Sequence, residues 1–214
     1  QAGLGERLPK VEAELASVKA QLANAILSLQ SNKGAIDLKK IRQQKSTDDL
    51  NRDQNLFKEQ ATWHFIGSIQ SNKTKLIAKN FDWVHTITRI KVAQKLNEYR
   101  TSKMPLLNIC IQVKLDQSDV RDSLSIDQIP QLMKELDVCS NLKVRGLMGI
   151  THPDASMQHR VQCFKRLKEA FDAINQSGYS MDTISLGMSD DYELAIQNHS
   201  NMIRIGTALF GMRK

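Results

Sequence analysis

The fold is decided by two stretches near the end of the chain, TISLGMSDD at residues 183–191 and MIRIGT at residues 202–207. Each is an apolar run that ends in glycine, with Ser or Thr close behind. Where a helix follows, such a run places backbone N–H groups and a hydroxyl at the helix start, where they bind anions, most often phosphate. In an eight-stranded α/β barrel a phosphate site lies in the loops after strands seven and eight. The two stretches therefore predict one shared phosphate site at the end of such a barrel.

Upstream, short apolar runs alternate with longer amphipathic segments, an order typical of βαβ units and a parallel sheet. Some runs are apolar almost throughout, as in LLNICI at 106–111, which suits strands covered on both faces. The predicted strands are 25–29, 63–67, 83–87, 106–113, 143–150, 183–187 and 202–206. The predicted helices are 35–45, 71–80, 90–100, 126–139, 157–176 and 191–198.

The fold class predicted is α/β, with a single (β/α)8 TIM-type barrel as one domain over residues 1–214. An amphipathic helix within residues 1–24 is expected to pack on it, because its apolar residues recur every three or four positions. One strand of the eight is hard to place. The candidate at 55–57 is followed after only five residues by Trp63, whereas a parallel crossover takes about a dozen. Either this strand is not regular and parallel, or a segment is absent from the sequence.

The composition is that of a soluble globular protein, with 41% hydrophobic and 25% charged residues. No apolar run approaches the roughly 20 residues that span a bilayer, and no leader peptide is evident, so a cytoplasmic protein without membrane contact is expected. The three cysteines form no CxxC, and the five histidines show no metal-ligand spacing, so no metal site is predicted. The net charge of +7 is spread among acids, and nucleic-acid binding is therefore not expected as the main function.

The segment WHFIGSIQSNK at 63–73 resembles the HFIGxLQxNK signature of the pyridoxal phosphate homeostasis proteins, single-domain relatives of the alanine racemase barrel. FDWVHTI at 81–87 is similar to that family's next strand, and RGLMGI at 145–150 to its sixth. The stretches 183–191 and 202–207 are similar to its seventh and eighth. The resemblance implies an alanine racemase N-terminal-domain-like barrel that binds pyridoxal 5'-phosphate. It also implies a role in intracellular vitamin B6 homeostasis, with no catalytic residues.

The resemblance implies that Ser189, Gly206 and Thr207 hold the cofactor phosphate and that Met188 contacts the cofactor. Ser189 could instead cap a helix. Asp190 and the glutamate three residues later have the spacing of a capping box, which leaves Ser189 for the ligand.

Arg204 lies two residues before Gly206 and therefore on the same strand face. The resemblance places it opposite the pyridine nitrogen. Because a guanidinium stays charged, it leaves that nitrogen unprotonated and weakens the ring as an electron sink. Such an arrangement favours holding the cofactor over fast carbanion chemistry.

The cofactor aldehyde needs a lysine amine to form a Schiff base. The family carries this lysine in the pattern L-x-A-V-S-K-T-K at the end of its first strand, but this chain has ILSLQSNK at 26–33. Lys33 is therefore the nearest candidate. Asn55 follows Lys33 by 22 residues, close to the family interval, which favours this alignment. Lys73 is an alternative, although the family uses that lysine structurally.

Three functions remain open at this point: a cofactor carrier, a pyridoxal-phosphate-dependent racemase and a basic nucleic-acid-binding protein. Racemases of this barrel type take a second base from an additional β domain and a partner subunit. The sequence ends at Lys214, directly after the predicted barrel. A monomeric carrier is therefore expected, with pyridoxal phosphate and amino acids or apo-enzymes that receive the cofactor as its partners.

Overall fold

Five parallel strands form one sheet in the order β1-β2-β3-β4-β5, each paired with the next strand along the chain. They are β1 His64–Phe65, β2 Trp83–Ile87, β3 Leu107–Val113, β4 Leu142–Gly149 and β5 Thr183–Ser185. A computed structural model describes residues 62–116 and 121–207. The helix predicted within 1–24, the strands predicted at 25–29 and 55–57, the helix predicted at 35–45 and Lys33 lie outside the described residues.

Helices connect the strands, as the alternating pattern predicts. They are α1 Thr74–Asn80, α2 Ile90–Tyr99, α3 Ile129–Leu136, α4 Met157–Gln176 and α5 Tyr192–Gln197. Short 3-10 turns, Ser71–Lys73 and Ile126–Gln128, precede α1 and α3. The predicted helix at 157–176 is confirmed at both ends, and Ser156 caps it by accepting a hydrogen bond from the His159 backbone N–H. The sequential parallel order with a helix after each strand is that of a barrel wall.

The two faces of the sheet bury different side chains, because successive strand residues point to opposite faces. One face packs against the helices and forms the main hydrophobic core, with Ile109 and Leu147 from the strands against Leu96, Met133 and Phe164. The opposite face carries a smaller cluster of Trp83, Cys110 and Met148. β2 is buried along its whole length, as expected for a strand covered on both sides.

A charged cluster occupies the amino-terminal end of the sheet. The Arg145 guanidinium donates to Asp182 Oδ2 at 2.7 Å and to Asn108 Oδ1 at 2.9 Å, and it lies 4.7 Å from the centre of the Trp83 ring. The hydrogen bond from Arg145 lowers the pKa of Asp182. This cluster stands at the end of the strands remote from the predicted phosphate site.

Among the described residues, the strand predicted at 202–206 does not form: Met202 makes a single bridge to Ser185, and residues 203–206 belong to no ladder. Side chains occupy the edge of β5 instead. Asn201 Oδ1 accepts the Ile184 N–H at 2.8 Å, and Ser200 Oγ accepts the Leu186 N–H at 3.2 Å. Because the Ile184 and Leu186 N–H groups already donate to side chains, they are not available for backbone pairing with a further strand at 202–206.

Gly146 marks the closest approach between neighbouring strands. A Cβ at Gly146 would lie 1.7 Å from the Thr183 carbonyl oxygen, so Gly146→Ala must displace β5. We expect it to lower the free energy of unfolding by about 3 kcal/mol, measured by urea denaturation. In the control Gly206→Ala, the new Cβ meets no atom of residues 62–116 and 121–207 within 4 Å, and a change below about 1 kcal/mol is expected. Equal losses in the two variants would contradict this account.

Candidate functional site

The loop between β5 and α5 turns sharply at Gly187. Gly187 has a φ of +91°, and a Cβ there would lie 2.8 Å from the Ala195 Cβ and 2.9 Å from the Tyr192 Cα. Only glycine fits this combination of left-handed backbone and close packing. The turn ends the strand predicted at 183–187 two residues early and directs Met188 and Ser189 toward the carboxyl end of the sheet.

A cavity of about 200 Å³ opens at the carboxyl ends of β4 and β5. It contains four of the residues that the sequence predicts to hold the cofactor, Met188, Ser189, Arg204 and Thr207, and Gly206 lies between two of them in the chain. The remaining predicted residue, Lys33, is outside the described residues. In the part of the chain that the structure describes, the lining is Arg121, Ile150, Thr151, His152, Pro153, Arg160, Gly187, Met188, Ser189, Asp190, Asp191, Arg204 and Thr207.

Arg204 is held by oxygen atoms of the two strands beside the cavity. Its Nη1 donates to the Ser185 carbonyl at 2.8 Å and to Ser185 Oγ at 2.7 Å, and its Nη2 donates to the Gly149 carbonyl at 2.8 Å. Its backbone N–H donates to the Gly187 carbonyl at 2.9 Å. Burial lowers the pKa of Arg204 to about 10, so the guanidinium keeps its charge at neutral pH.

Asp191 connects three segments around the cavity, and sequence reasoning missed it. Its Oδ1 accepts the Met188 N–H at 2.7 Å, and its Oδ2 accepts the Thr151 hydroxyl at 2.9 Å. Arg160 Nη1 lies 3.1 Å from the same Oδ2. No local signal in the sequence indicates it, because its partners Thr151 and Arg160 lie 40 and 31 positions away in the chain.

The capping box predicted from Asp190 and Glu193 is wrong. Helix α5 begins at Tyr192, and Asp191 occupies the N-cap position without a side-chain capping bond. The Asp191 carboxylate turns back to the Met188 N–H instead.

A stack of three rings lies on the cavity side of the sheet. His64 Nδ1 and His85 Nε2 are 2.8 Å apart, and the His64 ring stacks on Trp83 with centroids 5.3 Å apart. Burial lowers the pKa of His85 to about 3, and the neighbouring His64 ring and the positive charge of Arg204 act in the same direction. The His85 side chain is therefore neutral at physiological pH. Its Nδ1 is buried without a hydrogen-bond partner among the described residues.

All three cysteines of the chain are free and buried. Burial raises the pKa of the Cys110 thiol to about 12, and burial also raises the pKa values of Cys139 and Cys163.

In residues 62–116 and 121–207, no group of three or more His, Cys, Asp or Glu side chains is arranged to bind a metal ion. The same ranges contain no helix long and apolar enough to cross a membrane. Lys73 is exposed in the turn after β1 and does not line the cavity.

The charges around the cavity favour an anionic ligand. Arg121, Arg160 and Arg204 contribute three positive charges against two carboxylates. Asp191 and Arg160 neutralise each other as an ion pair, and Asp190 is exposed. The Ser189 and Thr207 hydroxyls and the nearby backbone add donors of the kind that phosphate oxygens accept. The charge and donors of this cavity suit a small phosphorylated molecule.

Residues 18–214 match the family model of the alanine racemase N-terminal domain. The chain belongs to this family. The α/β barrel class predicted from the sequence is thereby confirmed, together with the parallel sheet described above.

The resemblance to the pyridoxal phosphate homeostasis proteins is also confirmed by curated relatives of that name. The Pseudomonas aeruginosa protein is 44% identical over 151 residues, which cover 71% of this chain and 64% of that protein, slightly less than two thirds of its length. The Escherichia coli K12 protein is 37% identical over 170 residues, covering 79% of this chain and 73% of that protein. The Buchnera aphidicola protein is 31% identical over 221 residues, covering 95% and 99%.

Solved structures support the same fold. PipY of Synechococcus elongatus without PLP is 25% identical, with a TM-score of 0.70 over 78% of this chain and 79% of that one. PipY with PLP bound gives a TM-score of 0.68 at 24% identity, over the same shares of the two chains. Alanine racemase of Clostridium difficile 630 gives a TM-score of 0.60 at 14% identity, over 74% of this chain and 42% of that one.

The low pKa of His85 predicts acid-sensitive stability. Because His85 binds its proton near pH 3 when folded and near pH 6.5 when unfolded, its contribution is complete above pH 6.5 and is lost as the pH falls toward 3. The free energy of unfolding of the wild-type protein should fall when the pH is lowered from 7 to 5. We expect this fall to be roughly 2 kcal/mol smaller in His85→Gln, which has no imidazole to protonate. Urea denaturation at both pH values measures this. The exposed control His199→Asn should keep the wild-type difference, and an unchanged difference in His85→Gln would contradict the assignment.

Proposed function

We propose that this protein binds pyridoxal 5'-phosphate and acts in intracellular pyridoxal phosphate homeostasis. The observation that supports it most is the cavity at the carboxyl ends of β4 and β5, which gathers Met188, Ser189, Arg204 and Thr207. These residues come from two segments of the chain that the resemblance assigns to the cofactor. The names of the curated relatives and the PLP-bound PipY structure agree with this ligand.

The donor set fits the phosphate of this cofactor. Ser189 and Thr207 offer hydroxyls at the cavity wall, and a Cβ at Gly206 would meet no atom of the described residues within 4 Å, so a ligand can approach the backbone there. Arg204 and Arg121 supply positive charge toward a dianion. The bound cofactor would contribute an aldehyde that forms Schiff bases with amines, and Lys33 is the amine we assign to it.

The arrangement of Arg204 favours a carrier over a racemase. Its guanidinium keeps its proton and its charge at neutral pH, so it does not protonate the pyridine nitrogen. An unprotonated ring is a weak electron sink, which disfavours abstraction of an amino-acid α-proton. We therefore assign no catalytic residue. In this proposal the protein is a cytoplasmic monomer, a single domain over residues 1–214 that passes the cofactor to amino acids or apo-enzymes.

Removal of the two hydroxyls tests the phosphate site. We expect Ser189→Ala and Thr207→Val each to weaken pyridoxal phosphate binding about tenfold, because each removes a hydrogen bond to a charged group. Equilibrium dialysis measures the dissociation constants. The matched controls Ser180→Ala and Thr101→Val remove the same groups from exposed positions outside the cavity and should bind like wild type. Wild-type affinity in both site variants would remove them from the site.

Lys33 can be tested through the covalent link. Wild-type protein incubated with pyridoxal phosphate should develop a visible absorbance band that survives dialysis, and Lys33→Ala should not, because its side chain has no amine. Lys73→Ala serves as the control that keeps the band. After borohydride reduction, peptide mass spectrometry should find the added mass on the peptide containing Lys33. Persistence of the band in Lys33→Ala, or added mass on a different lysine, would exclude Lys33.

A further inference from the structure

The Asp191 carboxylate stands beside a cavity whose other features favour anions. It is almost fully buried, with 8% of its side chain exposed, and its partner Arg160 is 13% exposed. A carboxylate in this place repels a phosphate dianion and costs desolvation energy unless it is paired and hydrogen-bonded. Arg160 pairs with this carboxylate, and the Met188 N–H and the Thr151 hydroxyl donate to it, so its charge is compensated.

Every hydrogen bond of this pair fixes a segment that lines the cavity. Asp191 Oδ1 holds the Met188 N–H at 2.7 Å, which orients the β5–α5 loop. Arg160 donates its Nε to the Ala155 carbonyl at 3.0 Å and its Nη2 to the Pro153 carbonyl, which orients the β4–α4 loop. The ion pair between Asp191 and Arg160 joins the two loops at 3.1 Å.

We propose that Asp191 is a positioning residue for the phosphate of the bound cofactor, an inference that rests on the proposed function. Asp191 does not touch the ligand. By binding the Met188 N–H and anchoring Arg160, it holds the loop that places Ser189, the next residue, at the cavity wall. Because Arg160 neutralises the carboxylate, this geometry is achieved without an uncompensated negative charge beside the phosphate.

This role predicts a loss that depends on the phosphate group. Asp191→Asn keeps an acceptor for the Met188 N–H but leaves Arg160 without an anionic partner, so the ion pair that joins the two loops is lost. We expect at least a tenfold weaker affinity for pyridoxal phosphate and little change for pyridoxal, which has the same ring and aldehyde. A merely structural role for Asp191 would weaken both ligands by the same factor.

The experiment compares dissociation constants for pyridoxal phosphate and pyridoxal in three proteins, with circular dichroism as the check of folding. The control Asp190→Asn removes the same charge from an exposed side chain of the same loop. Loss of negative charge alone strengthens phosphate binding, so this control should not lower the preference for the phosphorylated ligand. Asp191→Asn should lower it about tenfold.

A second variant, Arg160→Lys, tests the same role in case Asp191→Asn does not fold. Arg160→Lys keeps the positive charge but loses the fork that reaches Pro153, Ala155 and Asp191 together, and it should show the same selective loss. An unchanged preference for the phosphorylated ligand in both variants, or an equal weakening of both ligands, would overturn the positioning role while the proposed function stands. If wild-type protein binds neither ligand, the proposed function fails, and this inference fails with it.

Discussion

A guanidinium buried in a parallel sheet needs oxygen acceptors. The side chain of Arg204 finds them at the ends of β4 and β5, and it thereby joins these two strands. Its bonds to the Gly149 and Ser185 carbonyls take the place of a strand ladder in this part of the chain. The same contacts fix the backbone that leads to Gly206 and Thr207. The position of the cavity therefore depends on this charge being buried and satisfied, since Arg204 attaches its own segment to the ends of β4 and β5, where the cavity opens.

Polarity changes in layers from one end of the sheet to the other. The amino-terminal end has a charged pair, Arg145 and Asp182, whose charges cancel locally. The middle is neutral, because His85 and His64 are held unprotonated beside Trp83. Positive charge in excess of negative charge stands at the carboxyl end, around the cavity. This ordering confines the anion-attracting part of the protein to one end, where parallel α/β sheets ordinarily bind ligands.

The sequence predicted the sheet order and most element boundaries because apolar runs and helical periodicity depend on local patterns. The helix at 157–176 and the strand at 83–87 agree with the structure for this reason. It also indicated Ser189 and Thr207, since glycine followed by a hydroxyl is a local signal. The prediction of a strand at 202–206 failed because the side chains of Ser200 and Asn201 bond to the edge of β5, where backbone pairing was expected. These side chains reach that edge only in the folded chain. The partners of Asp191 were hidden for the same reason: Thr151 and Arg160 are 40 and 31 positions away in the chain.

The burial of the three cysteines has a consequence for chemical selectivity. Aldehydes react with thiolates as well as with amines, and a thiol whose pKa is near 12 is almost never ionised at neutral pH. Cys110 lies fully buried beside Trp83 and Met148, and the other two cysteines are buried among the helices and strands. An electrophilic ligand in the cavity therefore meets no competing sulfur nucleophile from this chain. The protein can hold a reactive carbonyl compound while leaving amines as its only partners for covalent capture.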